Sequence, residues 1–143
     1  MPLPEPEPGL VISHAYLWRY EHEAGQEEGR KNRPCVIVLA VENNEQGSQV
    51  TVAPITHRPP EGMTIGIELP LRVKQHLGLD AARSWVIVSE VNQFIWPGYD
   101  LRPIPGNENR FDFGFIPPGL FEKIKSGMLD LVRQRRARVI SRD

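Results

Sequence analysis

The sequence predicts a small, mainly β domain with one C-terminal helix, and three observations carry that reading. Apolar, β-branched runs of strand length, foremost Cys35–Leu39 and Trp85–Val91, are bounded by turn residues. A helical period appears at length only once, in Leu120, Ile124, Met128, Leu131 and Val132. The 14 prolines and 12 glycines divide the rest into short, stiff connections. At 143 residues the chain fits one domain with a real core. A compact barrel is the natural way for so few antiparallel strands to hide their edges.

Residues 1–8, with proline at every second position, read as a mobile, extended lead-in to a single domain over 9–143. Leu10–Tyr20 reads as a long first strand, with Leu10, Ile12, His14, Tyr16, Trp18 and Tyr20 on one face. An acidic loop, Glu21–Glu28, leads to Gly29-Arg30-Lys31-Asn32-Arg33-Pro34 and the second strand. A turn at Glu42–Gly47 makes a hairpin with residues 48–55, where Pro54 marks an edge or a bulge. Thr64–Leu69 is a fourth strand, Leu71–Leu77 a short helix stopped by Gly78, and Trp85–Val91 a fifth strand. Tyr99–Ile104 and Phe111–Phe115 flank a turn and read as a second hairpin. Pro117-Pro118 opens a helix over about 118–136, with proline allowed in its first turn, and an arginine-rich solvated tail follows.

Composition excludes several classes. A net charge of -1 argues against a generic nucleic-acid coat or a basic membrane binder, so any anion site must be local. One cysteine, Cys35, permits neither an internal disulfide nor a cysteine-built zinc site, and its strand context makes it a buried thiol. No apolar run approaches the roughly 20 residues of a membrane helix, and the start is unlike a signal peptide, so a cytoplasmic setting is expected. Charge is unevenly spread. Residues 1–28 carry six acids against Arg19, whereas residues 117–143 carry seven bases against three acids.

The chemistry centres on Arg33. It precedes a proline, which biases its backbone toward an extended form, and it stands at the mouth of a buried strand. A planar guanidinium there suits a phosphate, because its fork grips two oxygens at once. The alternative is a solvated basic loop entering a core strand. Thr56 sits where the third strand turns over, either as a functional hydroxyl or as a cap of its own turn. Glu90, near the end of the fifth strand, is a rim carboxylate or a group that orients a cation. No phosphate-cradling glycine motif and no His/Asp/Glu set at metal-ligand spacing occurs.

Taken in order, Gly25-Gln26-Glu27-Glu28-Gly29, Arg33-Pro34, Pro54-Ile55-Thr56 and Trp85-Val86-Ile87-Val88-Ser89-Glu90 resemble the blocks of the MazF/PemK family of toxins from type II toxin–antitoxin pairs. The likeness spans about residues 9–132. It implies an SH3-like barrel of the CcdB/MazF type, usually a homodimer, paired with a cognate antitoxin protein. It also implies cleavage of single-stranded RNA without a metal or other cofactor. Arg33 and Thr56 match the family's catalytic pair. His57 and Glu90 are the local candidates for the proton acceptor, His57 because an imidazole titrates near neutrality. A strand continued through residue 57 would turn His57 away from Thr56. Arg30, Lys31 and Arg58 would hold the RNA backbone, with Tyr20 and Trp18 as stacking platforms for bases. Gln26 stands where some relatives carry histidine. The same barrel also hosts gyrase poisons, so a protein-binding toxin and a catalytically silent binding module are the alternatives.

Overall fold

A curled antiparallel sheet organises the molecule, and its two faces carry two separate hydrophobic cores. The computed structural model describes residues 3–18, 32–43, 47–97, 101–134 and 137–141. Its elements are β1 (Leu10–Ala15), β2 (Asn32–Asn43), β3 (Gly47–Thr56), β4 (Gly66–Glu68), α1 (Leu71–His76), β5 (Trp85–Ile87), β6 (Glu90–Ile95), β7 (Asp112–Phe115), α2 (Pro118–Arg133) and β8 (Arg138–Ser141). The main path runs β4-β5-β3-β2-β1-β7, while β6 also pairs with β3 and carries β8 on its far side.

The two-residue period of the central strands sorts their side chains between the cores. Val11, Val36, Ala53 and Ile55 face the first core, which α1 and α2 cover with Val73, Ile124, Met128 and Leu131. Ile12, Cys35, Ile37, Val50 and Val52 face the second, where Tyr16, Phe94 and Leu101 pack. Every residue of β1 is buried, because both of its faces are covered. Leu120 packs at the margin of the first core, and Val132, on the flank of the same helix, stays exposed.

Pro54 stands where the sheet forks. Residues 49–52 of β3 pair with β6, and Ile55 and Thr56 pair with β5, so no ladder bond to these strands is needed from residue 54. A proline, which has no N–H to give, suits that gap. On the other side Pro54 lies opposite Cys35 of β2.

Several elements differ from the sequence-based expectation, each for a local reason. The first strand ends at Ala15 rather than Tyr20. The Tyr16 N–H bonds to the His14 carbonyl at 2.9 Å, and the Asn92 side chain then takes both backbone groups of Leu17, at 2.9 and 2.8 Å. Trp85–Val91 is not one strand. It breaks after Ile87, where Val88 and Ser89 bond to Ile65 and the Ser89 carbonyl accepts from the Arg138 N–H. The fourth strand is confined to Gly66–Glu68.

The second hairpin is replaced by a different pairing. Asp112–Phe115 pairs with β1, and Ile104 is limited to a bridge with Asn107 and an N–H bond to the Arg110 carbonyl, since Pro103 and Pro105 remove the donors a ladder requires. Helix α2 stops at Arg133, short of residue 136, and Arg138–Ser141 then adds β8 parallel to β6. That strand escapes sequence reading because only Ile140 in it is buried. The short helix, by contrast, ends as expected at Gly78, whose φ of 71° is the left-handed stop. The turn residues 44–46, Tyr99, Arg135, Arg136 and Arg142 lie outside the described residues.

Candidate functional site

Arg33, at the entry of β2, and Thr56, at the exit of β3, are brought level by the strand register. Cys35 lies opposite Pro54 in this antiparallel pair, and Arg33 stands two positions before Cys35 and Thr56 two positions after Pro54, so both lie at the same end and on the same face. Glu90 opens β6, and alternation from the Asn92–Val52 pair puts it on that face too. A cleft of about 860 Å³ lies at these strand ends, lined among others by Trp18, Arg33, Thr56, His57, Arg58 and Glu90. Sequence reasoning therefore named six of the residues that meet here. The remaining three, Tyr20, Arg30 and Lys31, lie outside the described residues, as does Gln26.

The Arg33 guanidinium is half-buried and stacks on Trp18, its carbon 5.1 Å from the ring centroid. Its Nε atom is buried and has no hydrogen-bond partner among the described residues. A buried guanidinium N–H without an acceptor is costly, and an oxygen anion at this position would satisfy it. Trp18 thus covers one side of the cation without neutralising it.

Thr56 ends its strand and turns the chain. Its hydroxyl oxygen accepts the Arg58 N–H at 3.2 Å, which makes it a cap of its own turn and leaves its proton available to donate. Because β3 stops at Thr56, His57 does not follow strand alternation, and it lines the same cleft. Glu90 accepts a 2.9 Å hydrogen bond from the Tyr16 hydroxyl. Burial, followed by the neighbouring Glu90 charge, pushes the Tyr16 phenol well above its ordinary pKa, so it remains a donor. Burial likewise raises the Cys35 thiol far above the usual range, which keeps it protonated and unreactive.

Lining residues that were missed in the sequence include Lys74, Asp80, Ser84 and Arg138. Lys74, whose side chain is only 3% exposed, holds Asp80 at 2.8 Å, Ser84 at 2.7 Å and the Ala82 carbonyl. The Lys74 hydrogen bond, against partial desolvation and with help from His57, holds the Asp80 carboxyl below the usual carboxylate range. Asp80 in turn meets His57 Nε2 at 2.9 Å. Arg138 reaches the cleft because Arg138 and Glu90 are register partners in the β6–β8 pair. Its only sequence signal is membership of a basic tail.

Among the described residues no group of three or more His, Cys, Asp or Glu side chains is gathered as a metal site, and no helix is long and apolar enough to cross a membrane. Among curated proteins, none matches the chain. Residues 9–94 match the family model of the PemK-like, MazF-like toxins of type II toxin–antitoxin systems. That stretch holds Arg33, Thr56, His57 and Glu90 together with five complete strands of the curled sheet and the start of the cleft-forming β6, and the chain belongs to this toxin family.

Proposed function

We propose that this toxin is a sequence-specific endoribonuclease that cuts single-stranded RNA without a metal ion. The observation that carries the reading is the Arg33 guanidinium, stacked on Trp18 with a buried Nε that lacks a partner among the described residues, at the mouth of a cleft. A phosphate group supplies what that N–H lacks. RNA brings its own nucleophile, so the protein has only to move protons and stabilise a crowded anionic phosphorane.

In this mechanism the 2′-hydroxyl loses its proton to His57 or Glu90 and its oxygen bonds to phosphorus. Arg33 grips the phosphate oxygens, and the Thr56 hydroxyl donates to one of them as charge develops. The bond from phosphorus to the 5′-oxygen then breaks, and that oxygen takes up a proton. The products are a 2′,3′-cyclic phosphate and a 5′-hydroxyl. Arg58 and Arg138 hold flanking phosphates, and Trp18 offers an aromatic surface beside the cation. Arg30, Lys31 and Tyr20 extend this surface in the same reading.

Family membership supports a cognate antitoxin as partner, which would silence the toxin by covering the cleft. Exposed Leu129 and Val132 on α2 and Val139 on β8 supply apolar surface for pairing with a second copy. The test is cleavage of a mixed-sequence single-stranded RNA by purified protein in EDTA. Cuts at a few short motifs that vanish in a folded Arg33→Ala variant support the nuclease. Intact RNA from a folded protein free of antitoxin contradicts it.

A further inference from the structure

Behind His57 the cleft contains a connected chain of polar groups, Asp80, Lys74 and Ser84, to which the nuclease reading gives no role. Lys74 lies almost wholly inside the protein, with its ammonium bonded to Asp80 Oδ1, the Ala82 carbonyl and Ser84 Oγ. Its three donors are thereby used. Asp80 is half-exposed, yet it is fixed from three sides: by Lys74 at 2.8 Å, by the Ala82 N–H at 3.1 Å and by His57 Nε2 at 2.9 Å. His57 itself is 61% exposed and borders the cleft next to Thr56.

We propose that Asp80, locked in place by buried Lys74, is the positioning residue for His57, fixing its ring so that Nε2 carries the proton and Nδ1 is the atom that exchanges protons with the RNA. The inference rests on the nuclease reading and decides between its two candidate bases in favour of His57.

Hydrogen-bond chemistry supplies the argument. The Lys74 contact holds Asp80 ionised at neutral pH, and an ionised carboxylate only accepts hydrogen bonds. Neutral His57 must therefore donate through Nε2, and the ring's one lone pair is left on Nδ1. A surface His–Asp pair usually contributes little to stability. This one is different because its half-exposed carboxylate is also held by a buried cation, so the ring's partner is anchored to the core. Glu61, Arg58, Glu90 and Arg138 also line the cleft, but none of them has a hydrogen bond to the His57 ring among the described residues.

The test combines a mutant cycle with a spectroscopic readout. Cleavage is measured for the wild type, His57→Ala, Asp80→Asn and the double variant, with Asp80→Glu as the conservative control. Asn keeps an oxygen for Lys74 but also presents an N–H, so the ring tautomer is no longer dictated. The expected result is a kcat lowered about 10- to 100-fold in Asp80→Asn with KM nearly unchanged, partial recovery in Asp80→Glu, and no further loss when His57 is already alanine. Full activity of His57→Ala or of Asp80→Asn overturns the inference, as does an equal loss from Asp80→Asn in the His57→Ala background. Ring nitrogen NMR of neutral His57 gives a readout independent of cleavage. It should show a protonated Nε2 in the wild type and a mixture in Asp80→Asn; a protonated Nδ1 in the wild type overturns the inference. If wild-type protein leaves RNA intact while the NMR result stands, the nuclease reading fails and the positioning of His57 survives.

Discussion

The Tyr16 hydroxyl donates a 2.9 Å hydrogen bond to the Glu90 carboxylate, joining the exit of β1 to the first residue of β6. Tyr16 is packed in the second core, so the bond ties a cleft carboxylate to the protein interior. Removing it with Tyr16→Phe should lower stability by about 1.5–3 kcal/mol, the range for a hydrogen bond to a charged group. The sign of the pH effect also follows. The phenol's pKa is raised in the folded protein above its ordinary 10.0, so the contribution is complete below pH 10 and is lost as the pH climbs above it. Denaturant unfolding across that range should show a falling alkaline limb in the wild type and a flatter one in Tyr16→Phe.

Thr56→Val tests the hydroxyl with little change in volume. It removes both the acceptor for the Arg58 N–H and the donor to the phosphate. Cleavage should fall about 100-fold, comparable with the loss of one preorganised oxyanion donor, while Thr56→Ser keeps most of the rate. Full cleavage by Thr56→Val would contradict a role for the hydroxyl, and a loss in Thr56→Ser alone would point to the methyl group.

Arg138→Ala should weaken RNA binding at every sequence alike, and the slope of log affinity against log salt should shrink by about 1. Titrating a fluorescent single-stranded RNA at several salt concentrations measures this. An unchanged slope would mean that Arg138 does not reach a phosphate.

How far the sequence alone goes can be seen from particular residues. Arg33 and Thr56 were legible because each stands beside a proline-marked strand end, and the β2–β3 register that joins them follows from one hairpin. Glu90 was legible as a strand-end acid, although its strand starts there rather than ending there. Lys74 and Asp80 were not, since a lysine in a short helix reads as solvated and its burial depends on a loop folding over it. Arg138 was hidden for another reason. A four-residue parallel strand with one buried side chain leaves no periodic signal, and its partner lies nearly fifty residues earlier in the chain.

The packing of α2 gives a prediction about the fold rather than the site. Ile124 is fully buried in the first core between the helix and the sheet. Ile124→Ala should cost about 2–5 kcal/mol, read as a lower denaturant midpoint with an unchanged slope. A smaller loss would show that the helix is held mainly by Met128 and Leu131.

In the proposed nuclease, Arg33 and Thr56 serve a reaction in which RNA attacks its own backbone. The most direct measurement uses a short single-stranded RNA containing one cleavage motif, in EDTA, compared with the same strand carrying a single 2′-deoxy sugar at the cut position. The first is expected to be cleaved to a 2′,3′-cyclic phosphate and a 5′-hydroxyl, and the second to stay intact at that position. Equal cutting of both strands, or a 5′-phosphate product, would contradict it.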